Sequence, residues 1–235
     1  MSTTTYLGTE LDAFSHAGNW KQYLREVTSP YLRGHVLEVG GGIGTTTSAF
    51  RSSAQTSWTA LEPDPELAMR LARRAAALPD PVRIVVGTLD AIRPEPLFDC
   101  VIYIDVLEHI ERDAEELRRA AVRLTRGGSI IVLSPAHQSL YTAFDAAIGH
   151  YRRYDRRSLT SLTPAGTTLI DLRYLDSAGL WLSVGNRVLL RSSSPTVAQV
   201  TLWDRWCIPV SRRIDHLLGH RLGKSILAVW QRGAA

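Results

Sequence analysis

Short apolar runs alternate with longer segments of helical periodicity along most of this chain. Five such runs predict strands at residues 36–39, 57–61, 82–86, 98–104 and 129–133. The segments between them repeat apolar residues every three or four positions, which predicts helices at residues 45–50, 65–78 and 111–124. Strands and helices that alternate at this spacing indicate an α/β fold with a doubly wound parallel sheet. Ligands of such a sheet bind above the carboxyl ends of its strands.

The two ends of the chain extend this pattern. Apolar residues at near-helical spacing close to the amino terminus predict two short helices, so we expect residues 1–33 to form an N-terminal helical cover and residues 34–235 the main domain. Residues 167–174 and 224–231 alternate like a sixth and a seventh strand, which predicts a seven-stranded sheet. Residues 176–223 then form a helical insertion before the last strand. Its tryptophans and arginines fit a lid, a homodimer contact or a weak peripheral membrane contact, and the sequence leaves these three open.

Composition narrows the class of protein. The 235 residues, of which 45% are hydrophobic and 21% charged, fit one large domain with a full core. Cys100 and Cys207 lie far apart, so neither a disulfide framework nor a zinc site is indicated. The net charge of +4 comes from arginines in short clusters on predicted helices, which fit solvated surfaces and argue against a nucleic-acid partner. We find no pattern of a signal peptide or a transmembrane segment and therefore expect a cytoplasmic protein, and the excess of arginine over lysine is typical of a GC-rich bacterial genome.

The first predicted strand ends in the pattern E-x-G-x-G-x-G, formed by Glu38, Gly40, Gly42 and Gly44. Glycine at these positions lets the chain turn tightly and lets the backbone approach a ligand without a Cβ atom in the way. An ordinary turn between a strand and a helix would use such glycines too, so the pattern alone does not decide the function. It resembles motif I of the class I S-adenosylmethionine (SAM) dependent methyltransferases. The resemblance implies that these four residues belong to a SAM-binding site.

Two further strand ends carry residues that fit the same resemblance. Glu62 and Pro63 follow the second strand, and Glu62 lies 18 residues beyond Gly44, the spacing at which a carboxylate reaches both hydroxyls of a nucleotide ribose. Residues 105–110, with the sequence D-V-L-E-H-I, resemble motif IV of the family. This implies that Asp105 faces the methionine part of SAM.

The end of the third strand departs from the family pattern. Family members usually have an aspartate directly after the glycine of this segment, where it binds the adenine amino group, but here Thr88 follows Gly87. Either Asp90, or Thr88 together with the backbone of Leu89, would make that contact. The sequence leaves this assignment open.

The segment after the fifth strand, residues 134–157, is rich in groups that carry protons. It resembles a subgroup of bacterial small-molecule methyltransferases with the pattern P-x-H-x-x-L-(Y/W)…D…GH-x-RRY. Because methyl transfer from SAM requires that a nucleophile be positioned and deprotonated, His137, Tyr141 and His150 are the candidate bases or orienting groups. Asp145 is placed to hold an imidazole tautomer.

Two alternatives remain for this segment. His150 and its neighbours would form a structural latch if Arg152 or Arg153 paired with Asp145. A metal site built from His137, Asp145 and His150 is the other, but their spacing is diffuse, so we expect no bound metal.

The sequence therefore predicts a SAM-dependent methyltransferase with a small-molecule acceptor, and with His137 and Tyr141 handling the acceptor proton. The expected acceptor is an aromatic or heteroaromatic natural-product scaffold of phenol or indole type. A lipid-linked or sugar intermediate is the second hypothesis, and a non-methylating binding protein with this fold is the third. The sequence does not separate methyl transfer to oxygen, nitrogen or carbon.

Overall fold

Seven strands form one sheet in the order β3-β2-β1-β4-β5-β7-β6. The computed structural model describes residues 10–93, 95, 97–189 and 196–233. The strands are β1 (Gly34–Val39), β2 (Gln55–Glu62), β3 (Arg83–Val86), β4 (Phe98–Ile104), β5 (Leu124–Pro135), β6 (Thr167–Leu175) and β7 (Ser225–Arg232). Strands β1 to β5 pair in parallel, and β7 lies antiparallel between β5 and β6. The predicted doubly wound seven-stranded α/β fold is confirmed.

Helices cover both faces of the sheet. They are α1 (Glu10–Phe14), α2 (Gly18–Thr28), α3 (Thr45–Phe50), α4 (Pro65–Ala75), α5 (Asp113–Ala121), α6 (Ala143–Ala147), α7 (Arg156–Ser161), α8 (Ser177–Leu189), α9 (Val197–Leu202) and α10 (Ile208–Leu217). A π-helical turn, Trp203–Cys207, joins α9 to α10 without a break. Within the described residues, no helix is both long and apolar enough to cross a lipid bilayer.

The central strand β4 shows why the sheet is covered on both sides. Its residues Cys100 and Ile102 belong to one buried cluster, whereas Val101 and Tyr103 belong to the other. All four side chains are fully buried. A strand that is buried on both faces reads as a continuous apolar run, which is the pattern of residues 98–104.

Element boundaries differ most around the fifth strand. Helix α5 ends at Ala121, three residues before the predicted end of that helix, and β5 already begins at Leu124, five residues before the predicted start of that strand. The reason is that Leu124 is buried and pairs with Phe98 of β4.

The predicted insertion is helical where it is described. Residues 190–195 of the insertion and residues 1–9 of the predicted N-terminal cover lie outside the described residues. The part that is described comprises α8 and the continuous helix from α9 through α10.

The strand order places the site. Strands β1 and β4 are neighbours although two strands separate them in sequence, so the chain leaves them in opposite directions. Such a switch point opens a crevice at the carboxyl ends of the strands. Strands β5 and β6 end at the same edge, and β7 begins there, since β7 runs antiparallel to both.

Candidate functional site

The glycine turn after β1 has a backbone conformation that side chains disfavour. Gly40 and Gly42 have φ angles of 73° and 54°. A Cβ atom on Gly40 would lie 2.5 Å from a methyl carbon of Val106, so this glycine permits β1 and β4 to meet closely. A Cβ atom on Gly42 would approach only the methyl groups of Leu11, at 3.9 Å and beyond. The space beside Gly42 is therefore open to a ligand. Gly44, at φ 79°, precedes the first residue of α3.

Glu62 closes the other side of this turn. One carboxylate oxygen accepts a hydrogen bond from the Gly42 N–H at 2.7 Å, and the other accepts one from the Asp64 N–H at 2.9 Å. Burial raises the pKa of Glu62, and these two hydrogen bonds oppose that shift. Each oxygen retains a second lone pair, so the carboxylate can still accept hydrogen bonds from a ligand. Pro63 links Glu62 to Asp64, which caps α4.

Glu38 supports the turn from beneath. Its Oε2 accepts hydrogen bonds from the Thr47 hydroxyl at 2.6 Å and from the Trp58 indole N–H at 2.8 Å. Burial raises its pKa to about 7. Because these partners belong to α3 and β2, Glu38 ties together the elements on both sides of the glycine turn.

The end of β3 carries both candidates for the contact with the adenine amino group. The Asp90 side chain is exposed and forms an ion pair with Arg119 of α5. Thr88 precedes the short turn Leu89–Ala91, in which Leu89 is fully buried. Of the two alternatives, this geometry favours Thr88 with the backbone of Leu89.

Asp105 follows β4 in a left-handed conformation, with φ 54°. Its N–H donates to the carbonyl of Leu133, which fixes the turn against β5. Asp105 is exposed to solvent, yet desolvation by the surrounding protein atoms raises the pKa of its carboxyl to about 6. The charges of His150 and Lys224 act in the opposite direction. His137 (φ 64°) and Asp176 (φ 66°) are also left-handed, near the ends of β5 and β6.

A buried group of acidic and imidazole side chains lies next to this strand end. Nδ1 of His150 is 3.0 Å from a carboxylate oxygen of Asp145. Nε2 of His150 is 3.9 Å from Oε1 of Glu108, a fully buried oxygen with no hydrogen-bond partner among the described residues. The other Glu108 oxygen accepts from the Ser134 hydroxyl at 2.9 Å. Burial raises the pKa of Glu108 well above its ordinary value, and the charge of Asp105 raises it further.

Asp145 remains an anion in this environment. Burial raises its pKa, but hydrogen bonds from His150, Arg153 and Thr142 outweigh this effect and hold the pKa far below its ordinary value. Arg153 contributes two of these bonds, both at 2.9 Å. Because the ionised Asp145 only accepts hydrogen bonds, Nδ1 of His150 carries a proton, and in the neutral form of the ring Nε2 is then the acceptor nitrogen. The pairing of Arg153 with Asp145 also supplies the latch considered from the sequence.

His137 and Tyr141 each bond to a backbone carbonyl instead of joining the side-chain network of Asp145, His150 and Glu108. Nε2 of His137 lies 2.9 Å from the carbonyl oxygen of Gly223, so it is the N–H donor. The His137 ring stacks on Tyr174, with centroids 5.0 Å apart. The Tyr141 hydroxyl donates to the backbone carbonyl of His150 at 2.6 Å. Tyr141 therefore holds the loop that carries His150, and His137 lines the neighbouring edge at β6 and β7.

Sequence reasoning did not select two residues that the structure places in the site. Glu108 lies inside the motif IV segment, but nothing in a strand-to-turn pattern indicates that its side chain reaches His150. Lys224 is within electrostatic influence of Asp176, Asp105 and Asp145, and its ammonium group is 5.4 Å from the ring centroid of Trp203. The sequence alone could have drawn attention to Lys224, because it is one of only two lysines in the chain.

The grouping of possible metal ligands also differs from the set considered earlier. Within the described part of the chain, Glu108, His109 and His150 bring one ligand atom each to within 4.8 Å of one another. His137 is not among them. Burial and, to a smaller extent, the charge of His150 lower the pKa of His109 to about 4, so its ring is neutral.

Comparisons with known proteins agree with this geometry. Residues 37–130 match the family model described as "Methyltransferase domain". A search of curated proteins finds no match. Among solved structures, an S-adenosylmethionine-dependent methyltransferase from Clostridium acetobutylicum ATCC 824 is 11% identical, with a TM-score of 0.58 over 92% of this chain and 91% of that one.

Two further solved structures show the breadth of this fold. The N-methyltransferase NodS from Bradyrhizobium japonicum WM9 is 15% identical, with a TM-score of 0.56 over 96% of this chain and 98% of that one. The [4+2]-cyclase SpnF is also 15% identical, with a TM-score of 0.62 over 91% of this chain and 81% of that one. At such identities the likeness to solved structures establishes the fold.

The matched region contains the glycine turn, Glu62 and Asp105, the groups that the sequence assigns to SAM. The open space beside Gly42 and the fixed carboxylate of Glu62 fit a nucleoside ligand at the switch point of the sheet. Residues 37–130 of the chain therefore match a methyltransferase domain on a fold shared with SAM-dependent methyltransferases, and the cofactor that this match implies is S-adenosylmethionine.

Proposed function

We propose that this protein transfers the methyl group of SAM to a small-molecule acceptor whose proton is taken by His150. The observation that carries the proposal is the buried arrangement of Asp145, His150 and Glu108 beside Asp105. A base that is oriented by a carboxylate and placed at the carboxyl ends of the strands has the arrangement required for general base catalysis.

The chain's own groups define where the donor is held. Gly40, Gly42 and Gly44 keep the turn free of side chains, and Glu62 presents its carboxylate to the ribose. Thr88 and the backbone of Leu89 contact the adenine amino group, and Asp105 faces the methionine part. When bound, SAM supplies a methyl group on a sulfonium centre that an aligned nucleophile can displace.

His150 accepts the acceptor's proton at Nε2. Its Nδ1–H donates to Asp145, so the neutral ring has the required tautomer and the resulting imidazolium is stabilised by a carboxylate that stays ionised. The side chain of His150 is 7% exposed, which keeps bulk water away from the ring. Tyr141 and Arg153 act as positioning residues, because each holds the segment that carries His150 or Asp145. We therefore assign the role of base to His150 instead of the predicted pair of His137 and Tyr141.

Flat side chains at the adjacent edge support an aromatic or heteroaromatic acceptor of the natural-product type. His137 and Tyr174 are stacked at the ends of β5 and β6, and Trp203 lies opposite Lys224. Such surfaces favour a flat ring through stacking and exclude water from it. The N-methyltransferase among the similar folds is compatible with a nitrogen acceptor, and a phenol oxygen or an indole carbon would be served by the same base. We propose a tailoring enzyme of a bacterial cytoplasm.

Transfer of a labelled methyl group tests the assignment. The purified chain is incubated with methyl-labelled SAM and a panel of phenols, indoles and aromatic amines, and incorporation is compared among wild type, His150→Gln and His137→Gln. We expect His150→Gln to lower kcat by a factor of about 10² to 10⁴, with the affinity for SAM unchanged. His137→Gln should lower it less, because His137 stacks on Tyr174 and bonds to Gly223. Equal rates for His150→Gln and wild type would remove His150 from the reaction.

A further inference from the structure

Exposed large apolar side chains are concentrated in one part of the molecule. Of the 16 found among the described residues, 10 lie between Trp181 and Leu222. Most of them belong to the continuous helix of α9, the π-helical turn and α10, which we call helix 197–217. A patch of this size needs an explanation, since scattered single residues are the usual pattern on a protein surface.

Helix 197–217 has two distinct faces. Its inner face is a buried stripe: Val200, Asp204, Ile208, Ser211 and Asp215. Its outer face is an exposed apolar stripe at intervals of three or four residues: Leu202 (62% exposed), Trp206 (62%), Val210 (43%), Ile214 (38%) and Leu217 (83%). An apolar stripe of this spacing is the signature of a helix that buries a second face against a partner.

Acidic groups of the helix are confined to the inner face. Asp204 accepts hydrogen bonds from the backbone N–H groups of Asn19 and Trp20, at 3.0 Å and 2.8 Å. Asp215 accepts from the N–H groups of Asp176 and Ser177 at 2.7 Å and 2.9 Å. These bonds hold the helix against α2 and α8, so the outer stripe is presented in a fixed orientation.

Cationic groups accompany the outer stripe. Arg205, Arg213 and Arg221 are exposed, and the Arg205 guanidinium lies 5.6 Å from the ring centroid of Trp206. Arg212 is paired with Glu26 of α2. In described residues 197–222, the two carboxylates, Asp204 and Asp215, are buried, so this segment offers its exposed arginines no exposed carboxylate.

We propose that the outer face of helix 197–217 docks on an anionic lipid membrane, with the helix lying in the plane of the surface. Tryptophan and leucine side chains would enter the boundary of the acyl chains, and the flanking arginines would contact the headgroups. A second copy of the chain is the other occupant to consider. A two-fold contact through this face would bring like-charged arginines together, and the exposed face of the helix carries no carboxylate to pair them, which disfavours it. The inference does not depend on the identity of the methyl acceptor.

Sedimentation of the purified full chain with vesicles tests the proposal. Vesicles of phosphatidylcholine alone are compared with vesicles of phosphatidylcholine and phosphatidylglycerol. We expect wild type to bind the anionic vesicles more tightly, and the double variant Trp206→Ser and Leu217→Ser to lose about tenfold or more in affinity. Arg205→Gln with Arg213→Gln should lose affinity for the anionic vesicles only. The matched control is Met69→Ser with Val122→Ser, which removes two apolar side chains of 56% and 65% exposure on other helices and should bind as wild type does.

Three outcomes would overturn the proposal. The first is that wild type binds neither kind of vesicle. The second is that the variant Trp206→Ser with Leu217→Ser binds as tightly as the control. Alternatively, ultracentrifugation would find a wild-type dimer that Leu217→Ser dissociates, with no binding to vesicles, which would assign the face to a second copy. Urea unfolding of each variant checks that the buried face of the helix is intact.

Discussion

The two sides of the crevice are formed by different kinds of chemical group. The donor side, around Gly42 and Glu62, consists of backbone groups and one carboxylate that is fixed by backbone N–H groups. The acceptor side, around His150, consists of side chains that bond mainly to other side chains, with Asp145 at the centre of five hydrogen bonds. The donor side should therefore be intolerant of added atoms, whereas the acceptor side should be intolerant of lost charge.

The largest expected effect is on the donor side, from Gly42→Val. The new side chain would fill the open space and force a β-branched residue to φ 54°, so we expect the affinity for SAM to fall by about a thousandfold or more. Calorimetric titration with SAM and S-adenosylhomocysteine measures this. Gly219→Val is the matched control, because Gly219 has φ 57° with open space around it and lies outside the crevice. Equal losses in both variants would mean that backbone strain alone is responsible.

Next in size is the loss of a charge on the acceptor side, in Asp145→Asn. We expect kcat to fall by about a hundredfold, since the amide no longer fixes the tautomer of His150, while SAM affinity stays within about twofold of wild type. Steady-state kinetics over a range of pH checks this. Asp155→Asn serves as the control, because Asp155 is the N-cap of α7, as Asp145 completes the capping box of α6 from its third position, but it has no imidazole partner. A parallel loss of SAM affinity in Asp145→Asn would show that the two sides are not independent.

A smaller effect on stability is expected from Glu108→Gln. The raised pKa means that folded protein binds a proton that the unfolded chain releases, so wild type should lose stability as pH rises above the ordinary range of a glutamate. We expect Glu108→Gln to be more stable than wild type at pH 8 by about 1 kcal/mol and to show a flatter dependence between about pH 5 and pH 8. Urea unfolding at both pH values provides the measurement. A variant less stable than wild type at pH 8 would mean that an ionised Glu108 is paired with a charged His150.

The smallest effect is predicted for Asp90→Ala. Because this carboxylate is exposed and paired with Arg119, we expect SAM affinity to change by less than about twofold. Thr88→Val, which removes the neighbouring hydroxyl, should weaken binding by a larger factor. A strong loss in Asp90→Ala would restore Asp90 as the adenine ligand.

The same contrast explains what the sequence could predict. The glycine turn and the strand ends follow from local rules, since each depends on a few consecutive residues and on the order of parallel strands. The position of Glu62 at the end of the second strand could therefore be predicted from the sequence. The partners of His150 are harder to predict, because Glu108 and Asp145 come from separate segments that only the tertiary fold brings together. The sequence predicts that Asp145 holds an imidazole but leaves the ring open, and it does not select Glu108. Residue types there indicated proton chemistry, but the choice between His137 and His150 depends on which carbonyl or carboxylate each ring meets.

Left-handed backbone at the rim of the sheet has a consequence for evolution. Asp105 and His137 follow β4 and β5 in a conformation that costs a residue with a side chain about 1 kcal/mol or more, and glycine would relieve this cost. The side chains at these two positions are therefore accommodated at a cost in thermal stability. In a lineage released from the reaction, these two positions should drift towards glycine, and the melting temperature of its members should rise. A comparison of ancestral and descendant sequences at positions 105 and 137 would then show where the activity was lost.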